Sequence, residues 1–259
     1  MNTKQEICEN WLTRYTGQPL DEFGSHILLT NFRGYLELFA QLNGVPIKDP
    51  SANMPCATAQ GITMIDFGMG SPNAATIMDL LSAIMPKAAL FLGKCGGLKR
   101  KNNVGDFVLP IAAIRHEGTS NDYLPPEVPA LPAFSLQRVV SSTIRNREMD
   151  YWTGTVLSTN RRVWEYDEDF KAYLRRTRAM AIDMETATIF TVGFYNEIPS
   201  GALLLVSDQP MISEGIKTTA SDRRVSSMFV EDHIRIGMES LQLLINNSQS
   251  IKHLRFEFE

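Results

Sequence analysis

Ile62-Thr63-Met64-Ile65-Asp66-Phe67-Gly68-Met69-Gly70-Ser71-Pro72 is the stretch on which the fold class turns. Its first six residues are mostly apolar and strand-like, two glycines then turn the chain, and Ser71 and Pro72 offer an N-cap and a first helical residue. Ala75, Ile77, Met78, Leu81 and Ile84 supply an apolar helical face up to Met85, before Pro86. This is one strand, turn, helix unit. The alternation recurs downstream without sequence repetition. Residues 88–92 and 107–114 read as strands, 136–145 as a helix and 153–157 as a strand. Helical patterns at 165–176 and 185–195 flank a short segment at 180–184, 202–207 is a buried strand, and 223–245 is a long closing helix. Alternating elements without a Ser/Gly-rich linker predict an α/β chain, a single-domain three-layer α/β/α sandwich around a central mixed sheet. Residues 1–25 read as a helical extension, with Ile7, Trp11 and Leu12 at helical spacing before the Gly17-Gln18-Pro19 break, and 26–259 as the catalytic domain. Ligands of such sheets bind beyond the carboxyl ends of strands, which selects the expected turns at 68–71 and 93–97 and the pair Ser207-Asp208.

Composition narrows the function. The 259 residues are 44% hydrophobic and 21% charged, with 25 Lys plus Arg against 29 Asp plus Glu, an ordinary globular balance that argues against a nucleic-acid partner. Three cysteines, Cys8, Cys56 and Cys95, show no CxxC spacing, and no signal region or apolar run of membrane-spanning length is present, so a cytoplasmic protein is expected. Gly68-Met69-Gly70 lacks a third glycine because position 73 is Asn73, so it is not a dinucleotide fingerprint. Gly93-Lys94 lacks the remainder of a P-loop. The histidines His26, His116, His233 and His253 are too scattered for a metal site, and a GxSxG elbow is absent. No metal or organic cofactor is expected.

Three segments in order, Gly93-Lys94-Cys95-Gly96-Gly97-Leu98, Ala181-Ile182-Asp183-Met184-Glu185-Thr186-Ala187 and Leu205-Val206-Ser207-Asp208, resemble the nucleoside phosphorylase/nucleosidase superfamily. Within it the sequence is most similar to the AMP nucleosidases. That similarity is carried by Leu29-Thr30-Asn31-Phe32, by the run from Phe67 to Thr76, by Thr159-Asn160-Arg161-Arg162-Val163-Trp164-Glu165 and by Ser207-Asp208-Gln209-Pro210-Met211. It runs from about His26 to the C-terminus, so the N-terminal regulatory region of longer AMP nucleosidases, with its allosteric control, is not expected.

The resemblance implies hydrolysis of AMP to adenine and ribose 5-phosphate through an oxocarbenium-like transition state, with the small-molecule nucleotide as partner. The alternatives are a purine nucleoside phosphorylase, a nucleosidase acting on unphosphorylated nucleosides, and a non-catalytic nucleotide-binding regulator. By resemblance, Asp208 protonates purine N7 and Glu185 binds the ribose hydroxyls and favours the cationic sugar. Alone, Met184-Glu185 reads as a helix start and Ser207-Asp208 as a strand-to-loop cap. Met184 is expected against the sugar, and Gly70, Gly93, Cys95, Gly96 and Ser207 around the nucleoside. Lys94 stands where related phosphorylases carry the serine that binds orthophosphate, and is expected either to fill that site or to reach the substrate's own 5′-phosphate, both of which favour a hydrolase; the plainer reading is a solvated loop lysine beside Lys99, Arg100 and Lys101. Arg33, Arg161 and Arg162 are candidates for the 5′-phosphate, and Asn31 and Asn160 are further substrate-binding candidates. Trp164 or Tyr166 is expected to stack on adenine or to join the core with Phe170. Arg223 or Arg224 is expected to approach Asp208. The resemblance also implies dimers assembling to a hexamer. His26 is a candidate contact with a neighbouring subunit, its plainer reading being a surface histidine.

Overall fold

The computed structural model describes residues 3–247; His253 and the ends of the 1–25 and 26–259 segments lie outside them. The elements in chain order are α1 (Lys4–Thr16), β1 (His26–Thr30), α2 (Arg33–Asn43), β2 (Cys56–Ala59), β3 (Ile62–Asp66), α3 (Ser71–Leu80), β4 (Ala88–Gly97), β5 (Phe107–His116), α4 (Phe134–Asn146), β6 (Tyr151–Thr159), α5 (Glu168–Thr177), β7 (Ala181–Asp183), α6 (Thr186–Tyr195), β8 (Ser200–Asp208) and α7 (Thr219–Asn247).

The strands form one mixed sheet in the order β2-β3-β1-β4-β7-β6-β5-β8. A further parallel pairing of β4 with β8 curls the five strands from β4 to β8 back on themselves like a barrel. Alternation along each strand feeds two cores, since successive side chains point to opposite faces. In β1, Ile27 and Leu29 join the cluster that includes residues of α1, α3 and α6, while Leu28 joins the one that includes residues of α2, α4 and α7. The expected three layers are present.

Several expected details differ. The N-cap of α3 is Gly70, so Ser71 is the first helical residue and Pro72 the second; the Ser71 hydroxyl lies 2.9 Å from that of Thr119. The buried face of α1 is Cys8, Leu12 and Thr16, at exact four-residue steps, and Ile7 and Trp11 point outward. That helix is set by its ends: Thr3 and Glu6 form a reciprocal capping box, and Gly17 closes it at φ 71°. Elements β1, α2 and β2 fall where the sequence reading assigned nothing, and α7 begins four residues before the expected 223.

The largest correction concerns 93–97. These residues are not a turn but the end of β4, hydrogen-bonded to β8 and, at Gly96 and Gly97, to β7. Their glycines serve close packing: a Cβ on Gly96 would lie 2.7 Å from Pro210, and one on Gly93 would lie 2.4 Å from the Phe91 ring. The middle of α7 is fixed by His233, which is fully buried between the Tyr35 hydroxyl (3.0 Å to Nδ1) and the Leu203 carbonyl (2.9 Å to Nε2). A carbonyl can only accept, so Nε2 carries the proton, and burial pushes the ring pKa down to about 3, keeping it neutral.

Candidate active site

A cavity of about 340 Å³ opens at the carboxyl ends of β1, β4, β6, β7 and β8. Asp208 and Glu185 both line it, as do Asn31, Lys94, Cys95, Gly96, Met184, Ser207, Arg161 and Arg162. Four expected site residues are not in its wall. Gly93 packs into the core, Asn160 is exposed, Arg33 pairs with Asp66 (3.5 Å), and the Gly70 N–H is used within the protein.

Glu185 stands as N-cap of α6 and is 2% exposed. Its Oε1 accepts the Gly70 N–H at 2.7 Å, and Oε2 accepts the Met184 N–H at 3.2 Å. Gly70 sits at φ 96°, a conformation natural to glycine, and it turns that N–H across the joint between β3 and α3. Asp183, two residues earlier, takes the Ser158 hydroxyl on Oδ1, and on Oδ2 the N–H groups of Glu185 and Thr186 and the Thr186 hydroxyl. Ser158 in turn accepts the Ala187 N–H. Burial and then the neighbouring Asp183 charge push the Glu185 carboxyl up to about 8.

Asp208 ends β8 beyond a register irregularity against β4, where Cys95 pairs with Val206 but Gly96 pairs with Asp208. One extra residue there re-aims the strand end toward the cavity. The Ser207 hydroxyl donates to Asp208 Oδ1 at 2.6 Å, and Oδ2 has no hydrogen bond among the described residues. Burial raises the Asp208 carboxyl above the usual carboxylate range, against the Ser207 bond and the charges of Lys217 and Arg162.

Lys94 is not a solvated loop lysine. Its side chain, 4% exposed, projects from β4 to Asp222 Oδ1 and the Ser226 hydroxyl on α7, each at 2.9 Å, with the Phe32 ring centroid 4.8 Å away. Lys217 reaches the same Asp222 oxygen at 2.9 Å. Burial would raise Asp222, but the two lysines outweigh it and hold the carboxylate below its ordinary value. Arg223 and Arg224 are exposed and outside the cavity wall; Lys217 and Arg162 are the cations whose charges act on Asp208. Trp164 is 4% exposed, meets Phe170 edge-on at 5.4 Å and also lines the cavity, whereas Tyr166 is 74% exposed. His26 is no surface histidine: it is 3% exposed and begins β1, whose other end supplies Asn31. Asn31 Oδ1 is a buried acceptor without a partner among the described residues.

Sequence reasoning missed Lys217, Asp222, Asp183 and Glu165 as cavity residues. Asp183 was within reach, since a short polar residue between a strand and a helix is a capping signal. Lys217 and Asp222 carried no comparable sign. Among the described residues, no group of three or more His, Cys, Asp or Glu side chains could hold a metal ion, and no helix is long and apolar enough to cross a membrane.

The family model described as the phosphorylase superfamily matches residues 26–246. The AMP nucleosidase of Escherichia coli (strain K12) is 31% identical over 279 aligned positions, covering 90% of this chain and 57% of the relative. The chain thus spans just over half the length of the curated relatives of that kind. The crystal structure of AMP nucleosidase from Bacteroides thetaiotaomicron superposes with a TM-score of 0.86 at 58% identity, covering 95% of this chain and 99% of that one. Purine nucleoside phosphorylase from Toxoplasma gondii in complex with immucillin-H, at 16% identity and TM-score 0.79 over 89% of this chain and 95% of that one, shares the fold.

Proposed function

The chain belongs to the phosphorylase superfamily, and on that premise we propose that it is an N-glycosidase hydrolysing AMP to adenine and ribose 5-phosphate. The observation that carries this reading is that Asp208 and Glu185 face one cavity, of a size within the roughly 300–1,000 Å³ of small-molecule sites. Its similarity to AMP nucleosidases over nearly the whole chain supports the choice of nucleotide.

The two carboxyl groups divide the work. Asp208, whose hold on a proton burial strengthens, gives that proton from Oδ2 to purine N7 as the C1′–N9 bond breaks, so the base leaves neutral. Glu185 takes the ribose hydroxyls and, as a carboxylate beneath the ring, stabilises positive charge growing on the sugar. Met184 packs on the sugar, Asn31 Oδ1 offers an acceptor, and Trp164 gives the base an apolar wall. Arg161, Arg162 and Lys217 are the cavity cations for the 5′-phosphate. Lys94 is already committed to Asp222 and Ser226, which supports water rather than orthophosphate as nucleophile.

The chain further reads as a homo-oligomer, dimers assembling to a hexamer. Exposed apolar Met69, Val163 and Tyr166, at 57%, 66% and 74%, support a covered surface beside the site. Three free, buried cysteines support a reducing, cytoplasmic setting. The test is incubation with AMP, adenosine, inosine and methylthioadenosine, with and without orthophosphate. Adenine and ribose 5-phosphate should appear from AMP without orthophosphate, and Asp208→Asn should lose turnover while retaining ligand. Phosphate-dependent release of a sugar 1-phosphate would overturn the hydrolase reading.

A further inference from the structure

Hydrolysis needs a group to take a proton from water, and five carboxyl side chains line the cavity: Glu165, Asp183, Glu185, Asp208 and Asp222. A base must be ionised and must keep an oxygen free for the water. Glu185 is given to the ribose hydroxyls, and both oxygens of Asp183 are engaged by donors within the protein. Both oxygens of Glu165 are engaged as well, Oε1 by Arg162 at 3.4 Å and Oε2 by the Trp164 N–H at 2.9 Å. Two carboxyls keep an open oxygen, Asp208 and Asp222. Their surroundings drive them apart: burial raises the proton affinity of Asp208, while Lys94 from β4 and Lys217 from the segment before α7 lower that of Asp222. Asp222 also lies in the first turn of α7, where the helix dipole favours an anion, and Thr218 caps that turn by accepting the Ser221 N–H at 3.1 Å.

We propose that Asp222 is the general base of this hydrolysis: Lys94 and Lys217 grip Oδ1, and the free Oδ2 takes a proton from the attacking water. The assignment rests on the hydrolytic reading above. In the step, the water oxygen bonds to C1′ as one O–H proton passes to Asp222 Oδ2. The C1′–N9 electron pair leaves with the purine, whose N7 takes the proton from Asp208. Asp222 then returns its proton to solvent and Asp208 takes one up, which restores the starting state. Tyr35 on α2 also faces Asp222, and burial keeps its phenol neutral.

Asp222→Asn should lower kcat for AMP by about 10²–10⁴, the usual worth of a general base, with KM moving less than about tenfold. The acid limb of the kcat profile should disappear with it. In Asp222→Ala, azide, a nucleophile that needs no deprotonation, should restore turnover and give ribosyl azide 5-phosphate. Asp222→Glu, which keeps the carboxylate and the lysine pairs, should recover part of kcat and guards against a folding defect. If the wild-type chain hydrolyses AMP but Asp222→Asn keeps kcat within about threefold, the inference is overturned. It is equally overturned if the loss falls on KM alone, or if azide restores nothing. If the wild-type chain releases no adenine from AMP, the hydrolytic reading itself fails, and the base assignment with it.

Discussion

At the β7–α6 joint, Asp183 and Glu185 are 6% and 2% exposed and take their hydrogen bonds from backbone N–H groups and hydroxyls. At the start of α7 the Asp222 side chain is 38% exposed and is held by two lysines. The first wall keeps a carboxyl ready by desolvation, the second by paired charge. Desolvation makes a group sensitive to what enters the cavity, because a ligand supplies the hydrogen bonds that water no longer can. Paired charge keeps a group ionised whether or not a ligand is present.

The comparison breaks most readily at Glu185 and Lys217. Glu185→Gln keeps the shape of the inner wall but removes its charge, so kcat for AMP should fall by about 10²–10³ with KM little changed. Lys217→Met should act mainly on binding, raising KM about tenfold as a phosphate contact is lost, with a smaller fall in kcat because Asp222 loses one of its two cations; the KM penalty should shrink as salt screens the partly exposed charge. Steady-state kinetics at two ionic strengths separates the two walls. Equal kcat losses in both variants would erase the distinction.

A smaller effect sharpens the same contrast through stability. The folded chain holds the Glu185 proton more tightly than the unfolded chain does, since its carboxyl is raised to about 8. Stability from this group is therefore complete below the ordinary carboxylate range and is lost as pH rises through about 8. Glu185→Gln cannot ionise, so its melting temperature should exceed that of the wild type by about 2–4 °C or more near pH 9, the shift expected per kcal/mol in a chain of this size. The gap should close toward pH 4, the lower end of the same range. Thermal melts across that range check the sign. The least effect is expected from residues that the sequence offered and the fold left outside the cavity. Arg33→Ala and Asn160→Ala should leave kcat and KM within about twofold, as surface changes away from a site do.

Those two residues show where sequence reading stops. The strand–turn–helix unit at 62–85, the long α7 and the buried β8 were legible because local periodicity and chain-breaking residues carry them. So were the two central carboxyls, since Glu185 and Asp208 sit within short, ordered motifs. The glycine run at 93–97 misled, because glycine marks a turn and a close approach equally well, and only the positions of Phe91 and Pro210 decide between them. Elements β1 and α2 had usable signals, an unbroken apolar run at 27–29 and buried Tyr35, Leu36, Phe39 and Ala40 at helical spacing, that went unread.

By itself the sequence determined the layered α/β architecture and the family, which rest on local periodicity and short motifs, and it pointed to Glu185 and Asp208. The tertiary structure decided which charges meet. Glu185 finds the Gly70 N–H across 115 residues, and Lys94 finds Asp222 across 128. A carboxyl's readiness to hold or give up its proton depends on solvent exclusion and on charges within a few ångströms, and distances along the chain do not encode those.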